Sequence, residues 1–282
     1  MIKIKKNSYK VLPILKKNFN KNLIKISIIT VVYNGEKTLE KTIKNILNQK
    51  YKNFEYIIVY TPSEDKTYDI IKKYRSKINK VIFNYDKGIY QSMNLGAYFS
   101  SGEYINYMNS GDYFFNEKTL NEITKLKKKS DVIYGDCEVY YDGFTRKVKA
   151  LNQSNIKDGM FFSHQSCFVK RKLQFKLGFK TRYYYSADYE FFCRVYKKNF
   201  KFLYINKIIS KCMSNGIVDR KRFITLSQNL EIAKKIFKKE ISNLKILKKK
   251  QQIVFQYILY YLKIFMPNFL IKYFLKKKYF IK

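Results

Sequence analysis

Histidine is almost missing from this 282-residue chain: there is one, His164. A metal site built from several imidazoles is therefore excluded. Acidic residues are scarce too, 21 Asp and Glu against 58 Lys and Arg, for a formal charge of +37. A field of that sign draws anions: nucleic acid, anionic lipid headgroups or phosphorylated small molecules. Most of the excess is lysine, a hydrated point charge without the planar fork that reads bases or clamps phosphate. For any single lysine, a solvated basic surface is the plain reading. The four cysteines, Cys137, Cys167, Cys193 and Cys212, form no CxxC pair, so zinc spacing is absent, and a disulfide framework is not expected at this size. Reduced, buried thiols in a cytosolic compartment are expected. No apolar run with a small-residue cleavage site follows the basic N-terminus, and no export signal is read there. The longest apolar stretch, Ile253 to Leu262, is interrupted by Gln256 and stops at Lys263, too short to span a bilayer. Missing as well are a GxGxxG after the first strand and a GxxxxGKS/T, which argues against a dinucleotide-dependent oxidoreductase and a P-loop enzyme.

What is present is a strong alternation. Hydrophobic residues make up 46% of the chain, enough for one large α/β domain with an appendage. Ile26 to Tyr33 is a nearly continuous β-branched run, the pattern of a strand covered on both faces. Asn34-Gly35 breaks it, and Leu39, Ile43, Ile46 and Leu47 then fall at helical spacing. Phe54 to Tyr60 predicts a second strand, ending in Thr61-Pro62-Ser63-Glu64-Asp65, and Ile70, Ile71 and Tyr74 mark a helix. Val81 to Phe83, the turn Asp86-Lys87-Gly88 and a helix from Ile89 to Phe99 repeat the unit. Tyr104 to Met108 is a strand leading into Asn109-Ser110-Gly111-Asp112; a polar helix around 117–128 and a strand from Asp131 to Tyr134 follow. Such alternation implies a mainly parallel sheet with helices on both faces, whose ligands bind beyond the carboxyl ends of the strands. The expected organisation is a basic lead-in over 1–24, the α/β domain over 25–220 and a basic amphipathic helical tail over 221–282. In the tail, residues 231–282 hold only Glu231 and Glu240 as acids. Apolar residues interleaved with lysine suit a helix lying in the headgroup plane of an anionic membrane; a helical cap on the main domain is the other reading.

Asp65, Asp86 and Asp112 each follow a different strand, and Asp188 precedes an apolar helical stretch. Singly, each has a dull explanation: Asp65 suits an Asx turn and Asp188 an N-cap. Together, at strand ends, they offer oxygen ligands to a hard divalent cation or to ribose hydroxyls. A metal held there would be Mg²⁺ or Mn²⁺ sharing its shell with substrate phosphates.

An ordered set of segments resembles family 2 glycosyltransferases of the GT-A fold. It begins with Ile26-Ser27-Ile28-Ile29-Thr30-Val31-Val32-Tyr33-Asn34 and continues through Leu47-Asn48-Gln49, Phe54-Glu55-Tyr56-Ile57-Ile58 and Ser63-Glu64-Asp65-Lys66-Thr67. It includes Asp86-Lys87-Gly88-Ile89-Tyr90, Met93-Asn94, Ser101-Gly102-Glu103-Tyr104 and Tyr134-Gly135-Asp136. It closes with His164-Gln165, Gly178-Phe179 and Ala187-Asp188-Tyr189-Glu190. The segments are collinear over about residues 25–200, and the order is more specific than any one of them.

The resemblance implies a GT-A, Rossmann-like sheet flanked by helices, and transfer of a sugar from a nucleotide-sugar to an acceptor hydroxyl with inversion. It places Thr30, Tyr33, Asn34, Asp65, Asp86, Lys87 and Gly88 on the nucleotide-sugar side, with Tyr33 either stacking on the base or filling the core. It makes Asp188 the base that takes the acceptor proton. His164, Gln165 and Arg194 fall on the acceptor side, where structural roles for His164 and Arg194 stand beside substrate contact. Two positions depart from the pattern: Tyr60 stands where the family usually has Asp, and Gly111 stands where it has the metal carboxylate. Asp112, one residue along, is the metal candidate; lysines neutralising the diphosphate are the alternative. The family-level setting is cell-surface polysaccharide or lipopolysaccharide assembly on a glycan or lipid-linked acceptor, by an enzyme peripheral to the cytoplasmic face of the plasma membrane. The rivals are a degenerate GT-A-like binding protein, suggested by Tyr60 and Gly111, and a nucleic-acid-binding protein, suggested by charge alone. All the site assignments require Asp86, Asp112 and Asp188 to meet in one cleft.

Overall fold

A computed structural model describes residues 2, 4, 5, 7–86, 88–126, 130–141, 144–214 and 221–265. In the first unit, Met1–Ser214, the order is β1 (Tyr9–Val11), β2 (Ile26–Val32), α1 (Leu39–Leu47), β3 (Phe54–Tyr60), α2 (Thr67–Lys73), β4 (Lys80–Asn84) and α3 (Ile89–Phe99). Then come β5 (Tyr104–Tyr107), β6 (Tyr113–Phe114), α4 (Thr119–Thr124), β7 (Val132–Tyr141), β8 (Phe144–Val148), β9 (Cys167–Lys170), α5 (Arg171–Leu177), α6 (Ala187–Lys197) and β10 (Phe202–Met213). The described strands form one sheet ordered β1-β4-β3-β2-β5-β9-β7-β10-β6, with β8 hairpinned on β7. β4, β3, β2 and β5 run parallel; β9 is antiparallel between β5 and β7, and β10 returns parallel to β7. This is the mainly parallel α/β sheet that the alternation predicts.

Hydrophobic pattern explains the layers. β2 and β3 are buried at every position, as strands covered on both faces must be. α1 turns Leu39, Thr42, Ile43 and Ile46 to the sheet, an i, i+3, i+4, i+7 stripe. On α3 the packing is close enough that a Cβ at Gly96 would lie 2.6 Å from Cγ2 of Ile29. The basic lead-in is not outside the sheet: its β1 pairs antiparallel with β4, Lys10 opposite Phe83. All four cysteines are free and buried.

One charge is fixed inside this core. Glu55, at the start of β3, is 2% exposed. Oε1 accepts from Ser27 Oγ at 2.6 Å and the Gly102 amide at 3.2 Å. Oε2 accepts from Lys80 Nζ and Ser101 Oγ, each at 2.9 Å, with Lys25 3.8 Å away. The carboxylate thus ties β2, β3 and β4 to the turn before β5 at the N-terminal edge of the parallel strands. The turn must come close to do so: a Cβ on Gly102 would sit 2.6 Å from the Ser27 backbone nitrogen.

The second unit, Asn215–Lys282, contains α7 (Arg222–Phe237) and α8 (Asn243–Phe265). Phe223 of α7 meets Tyr257 and Tyr260 of α8 edge-on or tilted at 5.2 and 5.3 Å. No described helix is long and apolar enough to cross a membrane.

Candidate active site

The loops at the C-terminal ends of β2, β3 and β5 are stitched together by short polar side chains. After β2, Tyr33 is 55% exposed and Asn34 takes a positive φ of 51°, a conformation Asn tolerates well. The next amide, Gly35, donates to Thr67 Oγ1 at 2.7 Å, and Glu36 N donates to Asp65 Oδ2 at 3.0 Å. Asp65 Oδ1 also accepts from Ser63 Oγ and the Thr67 amide at 2.7 and 3.2 Å. Burial opposes its charge, but donors from Thr67, Ser63 and Glu36 outweigh that and hold its carboxyl down at about 2. Asp65 is therefore the brace between the first two loops. Thr38 and Thr42 of the β2–α1 segment reach the third loop: Thr38 Oγ1 lies 2.8 Å from Ser110 Oγ, and Thr42 Oγ1 accepts from the Gly111 amide at 3.0 Å. Thr30 lies deeper, fully buried, donating to the Met108 carbonyl at 2.6 Å; it supports the third loop from inside the sheet and lines no surface.

The two departures from the family pattern have physical explanations. Gly111 has φ +98°, a conformation in which any side chain is strained, so the turn presents Asp112 instead. Tyr60 is 3% exposed, stacked on Tyr68 at 5.7 Å and edge-on to Phe83 at 5.4 Å. Its hydroxyl accepts from the Ser63 amide at 3.0 Å and faces the Ser63 carbonyl at 3.3 Å. A ring thus closes the β3–α2 loop where a carboxylate is usual.

Asp112 is buried, with Oδ2 accepting from Gln165 Nε2 at 2.9 Å. Burial pushes its carboxyl up to about 7, against the pull of the Gln165 hydrogen bond. Gln165 is oriented in turn by Ser163 Oγ on its Oε1 at 3.0 Å. Next to it, His164 packs its ring against Tyr107, Phe179 and Phe192 at 5.4, 5.7 and 6.3 Å. Burial lowers its imidazole below the ordinary range despite the nearby Asp188 charge, so it is neutral. Its Nδ1 lies 3.7 Å from Asp188 Oδ2, while Nε2 is buried without a hydrogen bond. Asp188, in the first turn of α6, accepts on Oδ1 from Tyr90 Oη at 2.9 Å. Asp112, Gln165, His164, Asp188 and Tyr90 therefore form one chain of neighbours.

Asp86 and Gly88 are on the β4–α3 loop, anchored by Asn84, whose Nδ2 donates to the Asp86 carbonyl at 2.7 Å and whose Oδ1 accepts from the Asp86 amide at 3.2 Å. Gly88 is the residue before α3; Lys87 lies outside the described residues. Arg194 stands apart from this chain. Its guanidinium holds Glu190 through Nε at 2.9 and 3.0 Å and donates to the carbonyls of Leu177 and Gly178 at 3.0 and 2.6 Å, clamping the end of α5 to α6. Tyr90 is the participant that sequence spacing could not nominate, since its partner lies 98 residues away.

No group of three or more His, Cys, Asp or Glu among the described residues could hold a metal by itself. The donor set still fits a hard cation that takes most of its shell from phosphate and water. Asp112 is a carboxylate whose burial a cation would relieve, and Asn109, in the same loop, has a buried Oδ1 with no hydrogen-bond partner.

Comparison with known proteins gives the family and the fold. Residues 27–201 match the sequence profile of "Glycosyl transferase family 2". The UDP-Glc:alpha-D-GlcNAc-diphosphoundecaprenol beta-1,3-glucosyltransferase WfaP of Escherichia coli is 38% identical over 99 residues, 35% of this chain and 39% of that protein. The matched part is thus well under half of that relative. TarS residues 1–349 of S. aureus, in complex with UDP, superpose with a TM-score of 0.61 at 20% identity, covering 82% of this chain and 70% of that one. The mannosyltransferase PcManGT of Pyrobaculum calidifontis, in complex with GDP-Man and Mn²⁺, gives 0.58 at 14% identity, covering 86% and 73%. At these identities the two structures establish a shared GT-A fold.

Proposed function

The chain belongs to glycosyl transferase family 2, and on that premise we propose that it transfers a sugar, with inversion, from a nucleotide-sugar to the hydroxyl of a glycan or lipid-linked acceptor. The carrying observation is the unbroken run of neighbours from Asp112 through Gln165 and His164 to Asp188. A candidate phosphate-side carboxylate and a candidate base meet across one short turn. The E. coli relative, which uses UDP-Glc and a diphosphoundecaprenol-linked sugar, supports a nucleotide-sugar donor and a lipid-linked acceptor. Assembly of a cell-surface polysaccharide or lipopolysaccharide is the corresponding setting.

In the proposed reaction Tyr33, Asn34, Asp86 and Gly88 face the donor, and Asp65 keeps their loops in register. Asp188 removes the acceptor proton as the hydroxyl oxygen bonds to the anomeric carbon. The bond from that carbon to the diphosphate oxygen breaks on the opposite face, and its electron pair leaves with the nucleoside diphosphate. Asp112 would hold Mg²⁺ or Mn²⁺, which when bound neutralises charge on the leaving diphosphate. One carboxylate suffices because a neutralised diphosphate leaves without an acid, unlike the leaving group of a paired-carboxylate hydrolase. The Asp188→Asn variant tests this reading. Turnover should fall at least about 10³-fold with nucleoside diphosphate affinity unchanged; turnover within a few-fold of wild type would overturn it.

The second unit is read as a membrane-surface anchor on the cytoplasmic face. On α8, Leu244, Leu247, Val254, Phe255, Ile258 and Leu262 are all exposed and recur at helical spacing. The helix has lysines at 245, 248, 249, 250 and 263 and no acidic residue. An apolar stripe flanked by lysine fits a helix lying in an anionic headgroup plane. Replacing Leu247, Phe255 and Ile258 by Ser should release the full chain from anionic vesicles in a sedimentation assay. Equal retention on anionic and zwitterionic vesicles, or no effect of the triple change, would overturn it.

A further inference from the structure

Asp188 has two oxygens, and the fold treats them differently. Oδ1 accepts from Tyr90 Oη at 2.9 Å and from the Tyr189 amide at 2.8 Å. Oδ2 has no hydrogen bond among the described residues; its neighbour is His164 Nδ1 at 3.7 Å, beyond hydrogen-bond range. Tyr90 is in the first turn of α3, buried, with its ring tilted against Phe179 at 5.4 Å. Burial and the Asp188 charge push its hydroxyl well above its ordinary range, so it remains a donor at any working pH. The other titratable groups facing Asp188 are also neutral. His164 is held uncharged by burial, and the Cys167 thiol of β9 is raised well above its ordinary range by burial and by Asp188. Among the described residues no lysine or arginine pairs with this carboxylate. A carboxylate oriented by neutral donors keeps its direction, and no cation competes for its free oxygen.

We propose that Tyr90 is the positioning residue of the base: by holding Oδ1 it leaves Oδ2 as the one atom of Asp188 that takes the acceptor proton. This rests on the reading of Asp188 given above and goes one step past it. The same tyrosine stands four positions after Asp86, so the turn that carries the base's tether also begins at the loop assigned to the donor. The proton passes from the acceptor hydroxyl to Oδ2 as the new glycosidic bond forms, and solvent takes it after the product leaves.

Tyr90→Phe removes the hydroxyl and retains the ring on Phe179. The expected result is a kcat about 10- to 100-fold lower, the worth of one hydrogen bond to a charged group, with the KM for the nucleotide-sugar within two-fold. A tyrosine that only fills space would not lower kcat selectively at unchanged KM. A fluorinated tyrosine at position 90, the same shape with a more acidic hydroxyl, provides a second arm in which turnover should track donor strength. Wild-type kcat in both arms would overturn the positioning role. Asp188→Asn separates the two levels: if it is inactive while Tyr90→Phe equals wild type, only the tether fails, whereas an active Asp188→Asn removes the base itself.

Discussion

Glu55 enters β3 at the N-terminal edge of the parallel strands, and Asp112 follows β5 at the opposite edge. Both are buried, yet their surroundings differ in kind. Glu55 has Lys80, Ser27, Ser101 and the Gly102 amide on its two oxygens. Burial disfavours its charge, but Lys80 and the Ser27 hydroxyl outweigh it and hold the carboxyl below its usual range. Asp112 has one side-chain donor, Gln165, and burial pushes it up to about 7. A buried charge with its partners built in is complete and serves the fold. One left with neutral donors alone is stable only in company, and the ligand-facing edge of an α/β sheet is where company arrives. The same division separates Asp65, braced by three donors, from Asp86, whose carboxylate accepts no hydrogen bond from a described residue.

The contrast is broken most decisively at Glu55. Glu55→Ala removes the shared acceptor of Lys80 and four neutral donors in the interior and should cost about 3–5 kcal/mol, read as a lowered urea midpoint with the slope unchanged. Since the folded carboxyl lies below its unfolded value, its contribution is complete above about pH 4.3 and is lost as pH falls through the folded value. Acid unfolding of wild type should therefore be steeper than that of Glu55→Gln. A Glu55→Ala protein as stable as wild type would erase the distinction between the two edges.

Asp112→Asn should act in the opposite sense. The folded carboxyl is raised, so the wild-type protein loses stability as pH rises from the unfolded value, about 4, to about 7. The neutral amide avoids that loss, and the variant should be more stable near pH 8 by about 2–4 kcal/mol, measured as a higher Tm without ligand. Added Mn²⁺ with a nucleoside diphosphate should raise the Tm of wild type and leave the variant nearly unmoved. A variant less stable than wild type at pH 8 would mean that Asp112 belongs with Glu55 after all.

Much of this arrangement is legible in the sequence, because periodicity reports burial. The continuous runs of β2 and β3 and the stripe of α1 declare a two-faced sheet, and polar loops after strands declare its ligand edge. What stays hidden is pairing at long range. β1 is three residues in a lysine-rich lead-in, and nothing local shows that it completes the edge beside β4. Thr30 looks like a loop-facing residue by analogy but lies within a strand buried on both faces, where its hydroxyl donates to the Met108 carbonyl and accepts from Tyr56 Oη. Tyr90 and Arg194 carry ordinary local signals; only the fold reveals that one tethers Asp188 and the other clamps α5 to α6. Gly111 is legible as a departure, and its reason, a positive φ, is visible only in the turn.

Tyr60 gives the finest test, because it lies on the same strand as Glu55 but at the ligand edge. By position it should behave like Asp112; by environment it is complete, with its ring between Tyr68 and Phe83 and its hydroxyl on the Ser63 backbone. If partners rather than position decide, Tyr60→Phe should cost only about 1 kcal/mol and leave nucleoside diphosphate affinity within two-fold, as titration calorimetry would show. A loss of five-fold or more with stability unchanged would mean that the hydroxyl leaves Ser63 for the donor, and that the ring has inherited the contact made elsewhere in the family by a carboxylate. Position would then outrank satisfaction at the C-terminal edge, and Asp65, braced as it is, would have to be reconsidered as a donor contact in its own right.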